Sequence, residues 1–268
     1  MKIQLLGTAA GGGVPQWNCT CRVCSASRAG RIPSRTQSCA AVSADGEQWF
    51  LLNASPDLQA QIESFPPLQP HSTSLRNSPI QGVLLNSADL DHALGILLLR
   101  EGERLKVHAT ESMRDSLVAL TSPLDRFRGI EWITPPAKVS PLGHGLMYQA
   151  IPLGQERVAW RIAAGGRSIV YAPDVANVEE KLLAQMNDCD ALFFDGTFWS
   201  HDELPNAAGM NHLPITQSIE ILKNVKAKRK FYIHINNTNP ILLPDSDEAR
   251  AVADAEIEIP MDGMSIVV

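Results

Sequence analysis

Ile80-Gln81-Gly82-Val83-Leu84-Leu85-Asn86-Ser87-Ala88-Asp89-Leu90-Asp91-His92-Ala93-Leu94-Gly95 is the stretch whose reading decides the fold. Its first six residues form a mostly apolar run of strand length, which predicts a buried strand. A polar loop over 86–92 follows, and an apolar segment over 93–100 begins a helix. Two carboxylates and an imidazole (Asp89, Asp91 and His92) therefore leave one strand exit together, close enough to reach one metal ion. Asp and His also cap helices, so the cluster needs partners from elsewhere in the chain. Gly95, three residues after His92, predicts close backbone packing at the start of the helix.

Working outward, four more polar groups stand at strand exits or helix starts. They are Asp174 in Tyr171-Ala172-Pro173-Asp174, Asp195 in Phe193-Phe194-Asp195-Gly196-Thr197-Phe198-Trp199, His212 in Gly209-Met210-Asn211-His212, and His234 in Tyr232-Ile233-His234-Ile235-Asn236-Asn237. A lone histidine at a strand end is more often a hydrogen-bonded structural residue than a ligand. The recurrence of such groups at successive exits favours one shared site.

The remaining pattern is strand-rich early and mixed later. A first strand covers 1–6, and a hairpin over 39–53 turns at Asp45-Gly46. Ser55-Pro56-Asp57 starts a helix, with Ser55 as cap. The Pro- and Ser-rich segment 66–79 reads as a surface loop. Further strands are expected at 105–109, 131–134, 146–152, 157–164, 167–172, 190–195 and 230–235, and helices at 111–120, 178–187 and 214–224. Strands in pairs with helices between them predict an α/β sandwich of sheets flanked by helices. A single domain over 1–268 is the simplest organisation, since no repeat or low-complexity segment divides it.

Cys19-Thr20-Cys21-Arg22-Val23-Cys24 places three thiols within six residues, in a loop following Gly11, Gly12, Gly13 and Pro15. Thiols so spaced can converge on one tetrahedral zinc, whose fourth ligand must come from a distant segment, solvent or another subunit. Cys39 and Cys189 read as small core residues. His71, His108, His144 and His201 lack a comparable context and read as structural or surface. The stripe Leu94, Leu97 and Leu98 reads as helix core. No Gly-x-Ser-x-Gly elbow or Gly-Lys-Ser/Thr phosphate loop occurs.

Hydrophobic residues make up 44% and charged residues 19% of the 268, which is an ordinary globular composition. A formal net charge of −6 argues against a nucleic-acid partner. Arg22, Arg28, Arg31 and Arg35 read as a solvated face or as local pairs with acids. With no secretory leader or bilayer-length apolar run, the chain is expected in the cytoplasm without membrane insertion, its cysteines reduced.

The order of these motifs resembles the metallo-β-lactamase superfamily, whose signature is His-x-His-x-Asp-His with a glycine three residues on. The resemblance implies an αββα sandwich, with the zinc loop at about 11–35 as an N-terminal feature. Here Ser87 and Asp89 stand where the first two histidines would be. Asp91 and His92 match, Asp174 matches the bridging acid, and His234 matches the final histidine. The third histidine of the first metal subsite should fall near Gly154 or Gln155, and neither is His. The first subsite is thus dismantled and the second kept, which disfavours a binuclear zinc hydrolase. Asp91, His92, Asp174 and His234 remain as the metal set, suited to Fe(II) or another divalent ion at least as well as to zinc.

Within the superfamily, the stretch 7–19, the triple cysteine, Ser-x-Asp-x-Asp-His and His-Ile-Asn-Asn-Thr-Asn-Pro at 234–240 are similar to one family of pyrroloquinoline quinone (PQQ) biosynthesis proteins. That resemblance covers essentially the whole chain. It implies a structural zinc on Cys19, Cys21 and Cys24 near a homodimer interface, and His212, Asp89 and Asp195 as catalytic candidates. It also implies a small peptide-derived substrate or PQQ precursor, other PQQ biosynthesis proteins as partners, and iron-dependent hydroxylation of a Glu-Tyr-derived ring. Non-catalytic carriage of PQQ or its precursor toward the periplasm and metal-dependent phosphodiester hydrolysis are the competing activities. A related phosphodiesterase carries a second histidine three residues after its final one. Here that position is Asn237, which leaves the fourth zinc ligand open.

Overall fold

The computed structural model describes every residue except Ser72, Thr73 and Gln155. In chain order the first half runs β1 (Lys2–Gly7), α1 (Arg22–Arg28), β2 (Cys39–Ser43), β3 (Trp49–Leu52), α2 (Leu58–Glu63), β4 (Ile80–Leu84), α3 (Leu90–Ala93), β5 (Leu105–His108), α4 (Glu111–Thr121) and β6 (Ile130–Ile133). The second half runs β7 (Ser140–Gly143), β8 (Leu146–Gly154), β9 (Arg157–Ala164), β10 (Arg167–Ala172), α5 (Glu180–Met186), β11 (Ala191–Asp195), α6 (Ile215–Leu222), β12 (Arg229–Ile233), α7 (Asp247–Asp254) and β13 (Ser265–Val267).

One sheet has the order β13-β1-β2-β3-β4-β5-β6 and the other β12-β11-β10-β9-β8-β7. β3 to β6 run parallel, as do β10 to β12, while hairpin neighbours pair antiparallel. Period-two alternation sorts the second sheet's side chains between two cores. Ile169, Tyr171, Phe193, Phe231 and Ile233 share a core with the first sheet's Leu5, Leu52 and Leu84, which the register places on one face. Val170, Ala172, Leu192, Phe194 and Tyr232 face the opposite way, onto Leu182 of α5, Ile219 of α6 and Val252 of α7. The layers are therefore helix, sheet, sheet, helix, as the resemblance implies. Among the described residues no helix is long and apolar enough to cross a membrane.

Several elements differ from expectation. The helix after β4 starts at Leu90, not Ala93, so Asp91 and His92 belong to its single α-turn; Leu94–Leu99 then continues as 3-10 helix. In that segment Ile96 is buried and Leu97 packs partly buried against the core, while Leu98 is 43% exposed and so leaves the expected Leu94, Leu97 and Leu98 stripe. Ser55 does not cap α2; its Oγ instead accepts from Asp57 N, a turn before the helix begins at Leu58. The 66–79 segment contains a 3-10 turn, Pro66–Leu68, while its Ser72 and Thr73 lie outside the described residues. Cys24 sits inside α1 rather than in a loop, with Cys21 Sγ accepting from Cys24 N at the helix start. Of the clustered arginines, Arg22, Arg28 and Arg31 are exposed, as a solvated face requires, and Arg35 alone is buried. Arg28 donates to the carbonyls of Cys19 and Gln16, and buried Arg35 donates to Thr8 Oγ1 and Pro260 O.

Gly95 behaves as the sequence predicts. Its N–H donates to Ala54 O at 2.8 Å, and a Cβ there would stand 2.2 Å from Ser55 O. That approach anchors the start of the helix carrying His92 against the β3 exit.

Candidate metal centre

The parallel strands β4, β10, β11 and β12 deliver their C-terminal ends to one edge of the sandwich, where residues 87–92, 174, 195–197 and 234 meet. Asp174 and His234 both adopt left-handed backbone, with φ of 58° and 57°. Non-glycine residues hold that conformation at a cost, and such strain collects where a side chain must be aimed. Asp91 is placed by α3, while Gly11 from the β1 exit lies against its carboxylate.

His234 Nε2 lies 3.1 Å from Asp91 Oδ2 and 3.5 Å from Asp174 Oδ1. His92 Nε2 is 3.8 Å from Asp91 Oδ2, and His92 Nδ1 is 3.3 Å from Asp174 Oδ2. The two imidazoles stand edge to face with centroids 5.0 Å apart. His212 stacks on the other side of His234 at 5.6 Å, its Nδ1 held 2.7 Å from Asp195 Oδ2. Ligating atoms of Asp91, His92 and His234, and of Asp174, His212 and His234, lie within 4.8 Å of one another in each trio.

His92 Nε2 and Asp174 Oδ2 are both buried with no hydrogen-bond partner. A buried polar group left unpaired is costly, and a cation between these atoms would satisfy both. Two imidazoles among oxygen donors suit a divalent ion, so the residues present fit the metal. Electrostatics point the same way. Burial alone would lower the pKa of His234, yet Asp174, Asp195 and Asp91 outweigh it and hold the ring's pKa well above its ordinary value. Burial would raise Asp91 and Asp195, but His92 and His234 hold the first, and His212 and His234 the second, below the usual carboxylate range. Such mutual stabilisation marks a site built to concentrate negative charge.

The other sequence-predicted residues fall around this centre rather than in it. Asp89 accepts from Ser87 Oγ at 3.0 Å and pairs with Arg157 at 3.2 Å. Asp195 is fully buried; its oxygens accept from Thr197 Oγ1, Val175 N and His212 Nδ1. Gly154 is exposed with φ 78°, and Gln155 lies outside the described residues. The sequence reading missed Thr197 and the part played by Ser87, each of which touches a central histidine. The only available signal was their place beside an acid at a strand exit.

The sulfur cluster is separate. Sγ atoms of Cys19, Cys21 and Cys24 lie within 4.8 Å of one another. Asn237 closes the fourth side: its carbonyl accepts from Cys21 Sγ at 3.2 Å, and its Nδ2 lies 3.3 Å from Cys24 Sγ. Burial, with the neighbouring thiols adding to it, pushes Cys21 up to about 11. Three adjacent thiolates are not stable without a cation, whereas a bound zinc deprotonates its thiols. His71 and His201 are at the surface, His108 is buried against Tyr148, and Cys39 and Cys189 are core residues.

A family profile described as "Beta-lactamase superfamily domain" matches residues 48–235. Coenzyme PQQ synthesis protein B of Ectopseudomonas mendocina is 42% identical, with 100% of both chains covered. The protein of that name from Methylorubrum extorquens is 38% identical over 99% of each. Among solved structures, Zn(2+)-bound PqqB from Methylobacterium extorquens superposes with a TM-score of 0.91 at 37% identity, covering 100% of both chains. A diphosphatase from the PhnP family reaches a TM-score of 0.77 at 20% identity, over 99% of this chain and 96% of its own, a likeness of fold alone.

Proposed function

The chain belongs to the coenzyme PQQ synthesis protein B family of the β-lactamase superfamily, and from that premise we propose that it hydroxylates a Glu-Tyr-derived precursor of PQQ at an iron centre. Its place in PQQ biosynthesis follows from the family; the reaction is our reading. The observation carrying that reading is the pair of unpartnered buried atoms, His92 Nε2 and Asp174 Oδ2, beside Asp91 and His234. The donor set holds two imidazoles and two carboxylates and lacks the further histidines of a binuclear hydrolase.

His92, His234, Asp91 and Asp174 would hold the ion. Iron in such surroundings supplies activation of O₂ for oxygen insertion into an aromatic ring. The protein's own contribution is orientation and proton handling. His212, fixed through Nδ1 by buried Asp195, keeps its Nε2 for a substrate oxygen, where it holds or delivers a proton. Insertion of one oxygen atom into a ring C–H bond leaves the second atom of O₂ to be reduced to water, so two electrons and two protons must come from an added reductant. A homodimer, and substrate delivery by other PQQ biosynthesis proteins, belong to the same reading; light scattering on the purified chain tests the first.

The direct test loads the protein anaerobically with Fe(II), then adds the Glu-Tyr dipeptide, ascorbate and O₂. The expected product is heavier by one oxygen atom and absent with His92→Ala. Iron bound at this centre with no oxygenated product would end the hydroxylase reading, and tight PQQ binding indifferent to His234→Ala would support a carrier instead.

A further inference from the structure

Ser87 and Thr197 occupy equivalent places beside the two central imidazoles. Ser87 Oγ lies 2.9 Å from His92 Nδ1 and 3.0 Å from Asp89 Oδ2. Thr197 Oγ1 lies 2.8 Å from His234 Nδ1, 2.6 Å from Asp195 Oδ1 and 2.9 Å from the carbonyl oxygen of His234. A hydroxyl has one proton to donate, and carboxylate and carbonyl oxygens only accept. In each group the hydroxyl proton is therefore committed to an oxygen, and the ring nitrogen must be the donor. Asp174 Oδ2, 3.3 Å from His92 Nδ1, is acceptor-only as well. Both rings then carry a proton on Nδ1 and turn Nε2 to the centre, unpartnered in His92 and 3.1 Å from Asp91 Oδ2 in His234, where an ion would replace the proton between the two. His92 Nε2 is the buried atom without a partner, as this arrangement requires.

We propose that Asp89–Ser87–His92 and Asp195–Thr197–His234 are two matched carboxylate–hydroxyl–histidine relays that fix the tautomer and aim of the metal-binding imidazoles. The inference rests on the metal centre proposed above, but not on hydroxylation. Ser87 and Asp89 occupy the positions where the superfamily signature has two histidines. The dismantled subsite has thus become the positioning apparatus of the surviving one. Arg157 closes the first relay by pairing with Asp89, while burial of Asp195 closes the second. Partners that orient a ligating histidine raise its basicity, and removing them typically costs about 10- to 100-fold in metal affinity.

The test uses the full chain with Mn(II), which the oxygen–imidazole centre accepts and the thiol cluster disfavours. Bound Mn(II) is followed by electron paramagnetic resonance. Ser87→Ala, Asp89→Asn and Thr197→Val should each weaken Mn(II) binding about tenfold or more, and Ser87→Thr should restore it. A merely structural role would not move the second readout, the slowly exchanging Nδ1–H signals of the Zn(II)-loaded protein in ¹⁵N-edited NMR. Ser87→Ala should lose the His92 signal and keep that of His234, and Thr197→Val should do the reverse. Persistence of both signals in both variants overturns the relays even if affinity falls. A wild-type chain whose Mn(II) affinity ignores His92→Ala overturns the metal centre itself. Relay signals that respond as expected in a protein forming no oxygenated product leave the relays standing and remove only the hydroxylase reading.

Discussion

The two candidate metal sites are built in opposite ways. The sulfur cluster comes from one six-residue run, Cys19 to Cys24, and its thiols already touch one another and Asn237. The oxygen–imidazole centre draws Asp91, His92, Asp174 and His234 from three strand exits and is tightened by hydroxyls and acids behind them. Soft donors enclosed by neighbouring chain suit a closed, structural zinc, whereas hard donors with unpartnered atoms suit an ion that works. On the proposed reading, proximity in sequence would go with architecture, and convergence across the fold with chemistry. The two are also joined, because Asn237 of the sulfur site lies three residues beyond His234 on one chain segment.

The largest effect expected is on turnover. His92→Ala should lower product formation at least about 10³-fold, about 4 kcal/mol of lost transition-state stabilisation, while zinc at the cysteines stays at one per chain by elemental analysis. Loss of zinc from the cysteines in that variant would mean the two sites are one folding unit.

Cys24→Ser attacks the other side of the comparison. It should remove the structural zinc and destabilise the chain by about 3 kcal/mol, a fall of roughly 6–12 °C in melting temperature for a chain of this size. Through Asn237 it should also weaken Mn(II) binding at the second centre severalfold. A melting temperature unmoved by Cys24→Ser would leave the sulfur cluster without an architectural role.

Gly95→Ala tests the anchoring of the α3 turn alone. The added methyl carbon would meet Ser55 O at 2.2 Å and Ala54 O at 2.8 Å, both main-chain atoms that cannot swing aside. A cost of about 3 kcal/mol is expected in denaturant titration. Gly209→Ala, with nothing within 4 Å, should cost under about 1 kcal/mol. Equal costs would show that the close approach is relieved by backbone movement.

Much of this was legible before folding. Apolar runs marked eleven of the strands, and acids and histidines at their exits marked the centre. Legibility failed where local chemistry was ambiguous. Asp91 and His92 read as loop because polar residues start helices as readily as they extend turns. Helix α1, Arg-Val-Cys-Ser-Ala-Ser-Arg, offers little apolar periodicity, and its identity is set by packing Val23 and Ala26 against the core. β7, Ser-Pro-Leu-Gly, reads as a turn because of its proline and glycine, and β13 is only three residues long. Ser246 followed by Asp247 and Glu248 did carry a capping signal for α7 that went unread. The parts played by Ser87 and Thr197 were out of reach, because a hydroxyl's partner is chosen by register between strands far apart in sequence.

The smallest effect expected comes from a buried imidazole outside both centres. His108 ends β5 much as His234 follows β12, and each is only 4% exposed. Three carboxylates surround His234, whereas His108 meets only the Tyr148 hydroxyl, at 3.0 Å. Burial, with Lys106 adding to it, therefore pushes His108 down to about 4. The unfolded chain holds its histidines near pKa 6.5. Between about pH 6.5 and 4 the unfolded state binds the extra proton, so stability is complete above that window and declines as pH falls through it. From pH 7 to 5 the loss through this one residue should be about 2 kcal/mol, read as a difference in the pH dependence of urea midpoints between wild type and His108→Gln. Because both chains share every other titrating group, the difference isolates the imidazole that the fold buries without acids. Parallel profiles would mean that His108 is protonated in the folded chain, and that burial alone does not separate the two kinds of histidine.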